Sequence, residues 1–362
     1  MGILLVAIAN HSQKQQAGET AHRGDPVTIS GVNMNSKNMD NRSGVGQAHF
    51  LTWILVASML LGTMGLLSGC RKSGFGKDAE GKVKVVASIY PMYDFVKRIG
   101  GDLVAVNMMV PAGTEPHAWE PSTRDMMDLE EADLVVYNGA GMETWMADIL
   151  GTVQNKDLVK LEASKDVPLL RVDHEADDHD ADHEDHDHGE FDPHVWLSPS
   201  NAKLEMRAIA DALIAIDPDH TETYEQNYQT AAAECDKLMD EYRMALAPYE
   251  GKYIVVAHEA YGYLCHEFNL NQIGIEGVSA DQEPDAARMR EIIDMVGEYD
   301  IHCIFFEELV DPKVAETIAG ETGCQTAALS PLDGLTQADI DNGRDYFTVM
   351  RDNLLALQKA FA

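Results

Sequence analysis

Cysteine is scarce in this chain and badly spaced for metal. Five are present, Cys70, Cys235, Cys265, Cys303 and Cys324, and none belongs to a C-x-x-C pair, so a thiolate zinc site is not expected. Basic residues are also in short supply: 27 Lys and Arg against 61 Asp and Glu leave a formal charge of -34. Nucleic acid and anionic lipid would both be repelled by that charge, which leaves cations as natural ligands. Two hydrolase signatures are missing. His258 and Glu259 open an H-E-x-x-H pattern, but Ala260, Tyr261 and Gly262 follow and the second histidine is absent; nor is there a G-x-S-x-G elbow.

The N-terminal residues 1–69 are set apart from the folded body. From Phe50 the sequence runs "FLTWILVASMLLGTMGLLSGC", an uncharged apolar stretch that ends in small residues and Cys70. It reads as a secretory h-region, with a spanning helix as the alternative. The Leu67-Ser68-Gly69-Cys70 ending resembles a bacterial lipoprotein box, in which Cys70 would be lipidated. Residues 1–38 are mostly polar and patternless, and "GILLVAIA" is too short to span a bilayer. An over-extended start is expected, with Met34 or Met39 as the true one and Arg42 (joined by Lys37 in the first case) as the basic n-region. Export makes disulfides permissible; for Cys235, Cys265, Cys303 and Cys324, a disulfide and buried free thiols are equal expectations.

Residues 70–82, "CRKSGFGKDAEGK", read as a tether to the membrane. Short β-rich runs then alternate with helical patterns. "VKVVAS" (83–88), "VAVNMMV" (104–110) and "LVVYNG" (134–139) are separated by "MYDFVKRIGG" and "TRDMMDLEEA". The same grammar returns in "YIVVAH" (253–258), "NQIGI" (271–275), "HCIFFEE" (302–308) and "CQTAALS" (324–330), around the helical "PDAARMREIIDMVGEY". This predicts an α/β protein of two lobes, 83–217 and 250–362, each built from parallel-sheet βα units. Between them, 218–249 lacks glycine and carries proline only at its ends, Pro218 and Pro248. Its apolar positions Tyr224, Tyr228, Ala231, Cys235, Leu238, Tyr242 and Leu246 step by four and three, one continuous helical stripe. At 1.5 Å per residue, some thirty residues give a rigid link of roughly 45 Å, which restricts closure to small tilts.

Ligands of open α/β sheets collect at the carboxyl ends of the strands, which singles out four side chains. His117 lies in "PAGTEPHAWEPSTRD", a loop stiffened by Pro111, Pro116 and Pro121. His258 ends "YIVVAH"; Asp333 sits in the turn "PLDGL"; His194 stands in "DPHVWLSPSN", where Ser198 to Ser200 offer a helix start. A lone loop histidine is ordinary. Four candidates on loops that one edge could gather are not. Glu115 could approach a metal beside His117 but is expected to be solvated or to play a supporting part, Trp119 and Trp196 to wall the cleft, and His266 and His302 to be ordinary surface or core histidines.

The motifs "PAGTEPHAWEPSTRD", "DPHVWLSP", "VVAHEAYGYL", "SADQEPDAARMREI", and "FFEE" followed by "SPLDGL" resemble the zinc-binding solute-binding lipoproteins of metal ABC transporters, the metal-specific cluster A-I. The likeness runs in order through 83–362. It implies two α/β lobes joined by one long helix, with His117, His194, His258 and Asp333 as metal ligands in the cleft between lobes. It also implies Zn2+ as transported ligand, an ABC permease as partner, an extracytoplasmic location and a chain that is not an enzyme. A monomer is expected. Three imidazoles and a carboxylate suit zinc; manganese-specific relatives commonly carry glutamate where this chain has His258. A broader divalent-metal binder or adhesin of the same fold is the alternative, with a zinc hydrolase behind it.

From Asp173 to Glu190 the chain holds five histidines, His174, His179, His183, His186 and His188, and ten acidic residues, with no aromatic or β-branched residue. It is expected to be a mobile loop and an accessory metal collector, weaker than the preorganised site because each binding event must order the chain. A merely solubilising loop is the competing expectation.

Overall fold

The structure is a computed structural model that describes residues 74–172, 190–278 and 284–362. Cys70, the apolar run before it and the histidines from His174 to His188 lie outside the described residues. Among the described residues, no helix is long and apolar enough to cross a membrane.

Eight strands form two four-stranded sheets of identical topology. In the first, β1 (Val83–Ala87), β2 (Val104–Met108), β3 (Leu134–Tyr137) and β4 (Val159–Glu162) take the order β2-β1-β3-β4, all parallel. In the second, β5 (Tyr253–Val256), β6 (Asn271–Gly274), β7 (Cys303–Phe306) and β8 (Gln325–Ala328) repeat it as β6-β5-β7-β8. The apolar runs β1, β3, β5 and β7 occupy the interior positions and are almost wholly buried, as both-face coverage demands. Strand order reverses direction between β1 and β3 and between β5 and β7, which opens a crevice at the carboxyl ends of those pairs.

The strand β4 has no counterpart in the sequence reading. It is an edge strand with Lys160 and Glu162 in four residues, too short and too charged to register as an apolar run. A second difference concerns the stretch 70–82. Phe75 and Ala79 are both 4% exposed and pack with Val86, Leu129 and Val135. An aromatic ring among glycines and lysines was enough to dock the described part of that stretch onto the first sheet.

The helices cover the sheets as their stripes require. In the first half these are α1 (Tyr90–Gly100), α2 (Thr123–Glu131), α3 (Met146–Thr152) and α4 (Pro199–Ile216). Ser122 and Asp125 form a reciprocal capping box on α2, and Ser198 caps α4 with Pro199 in its first turn. Then comes α5 (Thr221–Leu246), 26 residues and so about 39 Å long. Six of its stripe positions are buried, and Tyr228 is half-buried beneath the Arg207 guanidinium, 4.2 Å from the ring centroid. The second half adds α6 (Gly262–Phe268), α7 (Ala286–Glu298), α8 (Lys313–Thr322), α9 (Gln337–Asp341) and α10 (Tyr346–Phe361).

One hydrophobic cluster runs through both halves, from Val85 and Phe95 through Trp196 and Tyr242 to Val256 and Met350. Polar ties cross the same boundary. Arg98 on α1 pairs with Asp345, the cap of α10, at 2.8 Å. Trp196 donates its indole N–H to the Pro331 carbonyl, and the Tyr346 hydroxyl donates to the Trp196 carbonyl, each at 2.8 Å. Cys235, Cys265, Cys303 and Cys324 are all free thiols, so of the two expectations the unpaired one holds.

The Tyr346 bond is buried, and its loss would leave the Trp196 carbonyl without a partner. Tyr346→Phe is expected to lower unfolding free energy by about 1–3 kcal/mol, measured by chemical denaturation; an unchanged midpoint would remove this bond from the ties between the halves.

Candidate metal centre

His117, His194 and His258 come from three distant stretches and meet. His117 rides the loop after β2, where the Glu115 carboxylate accepts the backbone N–H of His117 at 2.9 Å and of Ala118 at 3.1 Å. Glu115 thus holds the loop that carries the imidazole. His194 sits in the bend before the short turn Val195–Leu197, and His258 two residues beyond β5.

Two carboxylates fix two of the rings. Asp192 Oδ1 accepts both the backbone N–H and Nδ1–H of His194, each at 2.9 Å. Glu307, the first residue after β7, accepts Nδ1–H of His258 at 2.6 Å. With Nδ1 engaged outward, each Nε2 faces its neighbours. His117 Nε2 lies 3.3 Å and His258 Nε2 3.2 Å from His194 Nε2. His194 and His258 are 0% and 1% exposed, and His117 is half-buried.

Asp333 reaches the centre from the second half. Its carboxylate oxygen, a Glu115 oxygen and a His117 ring nitrogen lie within 4.8 Å of one another. Asp333 therefore approaches on the His117 side and does not join the three-histidine group at that spacing. Leu332, buried and left-handed at φ 59°, makes the turn that turns Asp333 inward. Gly334 permits the close passage of the two loops: a Cβ there would stand 3.2 Å from the Thr114 carbonyl, and Gly113 N–H donates to the Leu335 carbonyl at 2.8 Å. Likewise a Cβ on Gly262 would fall 2.3 Å from Asp192 Oδ2, so only glycine leaves that carboxylate its place.

The electrostatics divide the three rings. Burial pushes His117 down to about 3 and His194 well below its ordinary range, with positive His258 adding to both. Burial would lower His258 too, but the Glu307 charge and hydrogen bond outweigh it, aided by Asp333 and Glu115, and raise it to about 9. Burial raises Asp333 to about 7, with Glu307 adding and His258 opposing. Asp192 is likewise raised to about 7 by burial, against the His194 backbone N–H and His258. Without metal, then, His258 is the cation of the group and donates Nε2–H to neutral His194. Such a cluster can hold one shared proton or one borderline-soft divalent cation.

Of the other side chains singled out in the sequence, Trp196 is fully buried and backs His194, ring centroids 5.5 Å apart. It is core, not cleft wall. Trp119 packs edge-on against Trp145 at 5.0 Å. His266 and His302 are exposed. Sequence reasoning missed the parts played by Asp192 and Glu307; an acid two residues before His194, and one at the mouth of β7 beside β5, were the available signals. In metal-free protein the His258 titration followed by NMR should centre near pH 9, and Glu307→Gln should move it clearly downward, because the largest charge and the hydrogen bond that oppose burial are then gone and only Asp333 and Glu115 remain. An unmoved midpoint would dismiss Glu307 as its cause.

The family model for ZnuA, described as "Zinc-uptake complex component A periplasmic", matches residues 85–360. The zinc-binding protein AdcA of Streptococcus pyogenes serotype M3 is 40% identical over 289 residues, 77% of this chain and 56% of that one. The high-affinity zinc uptake system protein ZnuA of Bacillus subtilis is 39% identical over 296 residues, 81% of this chain and 93% of that one. The chain thus spans about half the length of the AdcA relatives and nearly all of the Bacillus one. Among solved structures, the Zn(II)-bound ZnuA-like domain of Streptococcus pneumoniae AdcA aligns with TM-score 0.66 at 37% identity, over 77% of this chain and 99% of that domain. The laminin-binding protein Lmb of Streptococcus agalactiae, titled a bifunctional protein with adhesin and metal transporting activity, aligns with TM-score 0.68 at 34% identity, over 77% of this chain and all of that one. With this matched span and the two repeated parallel sheets, the chain belongs to the ZnuA family of zinc-uptake components.

Proposed function

We propose that this protein captures Zn2+ outside the cytoplasm and delivers it to an ABC permease for import, with His117, His194, His258 and Asp333 as the ligands. One observation carries the reading. Donors held 2.0–2.1 Å from a tetrahedral zinc stand roughly 3.3–3.4 Å apart, and the Nε2 separations here are 3.2 and 3.3 Å. Zinc takes the place of the proton that His258 shares with His194. Asp333 moves in from the His117 side to complete the tetrahedron, and the acidic cleft lined by Glu115, Glu307, Glu308 and Asp333 draws the cation in.

Zinc is cargo in this reading, and the protein is not an enzyme: four protein donors leave no open position for an activated water. Manganese, which favours oxygen donors, fits three imidazoles poorly. The protein acts as a monomer, and lipidation at Cys70 would keep it at the membrane. The His-rich run serves as an accessory collector. Arg171 and Phe191, which flank it in sequence, form an antiparallel bridge, and Asp192 N–H donates to the Leu170 carbonyl at 2.9 Å, so the described residues on either side of the run meet close to His194 in the chain. The likeness to Lmb supports adhesion as a second reading, in which the metal site is retained.

Competition titration of the exported chain is expected to give one tight zinc site. Glu307→Gln should weaken it about 10–100-fold and His258→Ala by more, while deletion of 174–188 should remove only weaker sites. Loss of the tight site on deletion would refute this division of labour.

Zinc binding at pH 7 is expected to expel about one proton from His258, with a smaller share from Asp333. The raised His258 value favours the metal-free form below about pH 9, so affinity should climb about tenfold per pH unit from 7 towards 9 and then level off. Calorimetry in buffers of different ionisation enthalpy measures this; proton-neutral binding would sink it.

A further inference from the structure

The first half of the fold buries a second polar group, apart from the histidines. Glu205 lies on the inner face of α4 with Ala202, Met206 and Ile209, fully buried, and neither of its carboxyl oxygens has a protein partner. The helix packs against β4, and the charge of Glu143 reaches Glu205. The neighbouring strand ends carry Ser88 after β1, Asn138 after β3 and Ser164 beyond β4, with Ser164 N–H donating to the Asn138 carbonyl at 3.1 Å.

Glu143 is fully engaged. It accepts from Ser88 Oγ at 2.5 Å and from the backbone N–H of Asn138 and Gly139 at 2.9 Å each. Asn138 Nδ2 is engaged too, donating to the Gly139 and Pro193 carbonyls at 2.8 and 2.9 Å. What remains unpaired in the same region is Asn138 Oδ1, Ser164 Oγ and both oxygens of Glu205. Buried polar atoms in native cores nearly always have partners, and where protein supplies none an enclosed water with about three hydrogen bonds does.

We propose that Glu205, Asn138 and Ser164 enclose an ordered internal water site between α4 and the carboxyl ends of β3 and β4. The hydrogen-bond count closes with Glu205 as a neutral acid. A water donates to Asn138 Oδ1 and to the carbonyl oxygen of Glu205; the Ser164 hydroxyl and the Glu205 O–H donate to water. Among the described residues, the ionisable groups whose fields couple to Glu205 are Glu143, Tyr263 and Tyr346. None is a cation, and burial, with Glu143 adding, raises Glu205 well above the usual carboxyl range. The water steadies Asn138, whose amide holds the carbonyl next to His194. The inference does not depend on the zinc reading.

Two measurements on the whole exported chain, metal-free, test it. A crystal structure at atomic resolution should show water at about 2.7–3.2 Å from at least three of the named oxygens. Density with five or more oxygens at about 2.4 Å would mean a cation instead, and a direct Glu205–Asn138 bond with no water would also overturn the proposal. The second reads stability against pH for the wild type and Glu205→Gln. Because the folded chain retains a proton that the unfolded chain releases, the wild type should lose ground as pH rises above about 4.3, the ordinary glutamate value. The amide variant lacks this loss, so its folding equilibrium constant should gain on the wild type as pH rises above about 4.3, by up to about tenfold per pH unit until the folded acid itself ionises. Parallel pH profiles would overturn the proposal, and should the variant not fold, the wild-type crystal structure decides.

Discussion

The centre depends on two carboxylates that never need to touch a metal. Asp192 and Glu307 hold the Nδ1 positions of His194 and His258, and that alone decides which nitrogen of each ring looks inward. Imidazole can present either nitrogen, and three free rings in a buried space would pair among themselves in several ways. With those two nitrogens committed, the orientations of His194 and His258 are set. Glu307 also sets the charge of the group, because it makes His258 the proton carrier among the three rings.

Holding donors at such spacing across the two halves requires a frame that does not flex by ångströms. The continuous cluster from Phe95 to Met350 and the helix α5 supply it. The ties made by Trp196 and Tyr346 are especially informative, because Trp196 lies two residues from His194 and its indole holds the Pro331 carbonyl two residues from Asp333. Packing and ligand geometry are therefore one network. The strain at Leu332 and the bare backbone at Gly334 persist because this network over-determines them.

Much of this was legible in the sequence. Seven of the eight strands announce themselves as short apolar runs, and the stripe on α5 sets its buried face residue by residue. His117, His194, His258 and Asp333 stand out because each follows a strand or opens a helix. What was not legible depends on partners distant in sequence. Glu307 pairs with His258 across 49 residues, and no local pattern records which of two adjacent glutamates in "FFEE" turns inward. Strand β4 escaped because edge strands tolerate charge, and Phe75 because one aromatic residue carries no period. The function of Trp196 was misjudged for a related reason: a tryptophan beside a ligand reads as a wall until its burial is known.

The bridge between Arg171 and Phe191, with the Arg171 guanidinium 5.3 Å above the Phe191 ring, bears on how such proteins diverge. Residues 171 and 191 stand side by side, so the chain leaves and rejoins this half at one point, one residue before Asp192 and three before His194. For a flexible insertion each doubling of length costs only about 0.6 kcal/mol in closure entropy. A segment closed at such a point can change in length at little energetic cost to the backbone that holds His194.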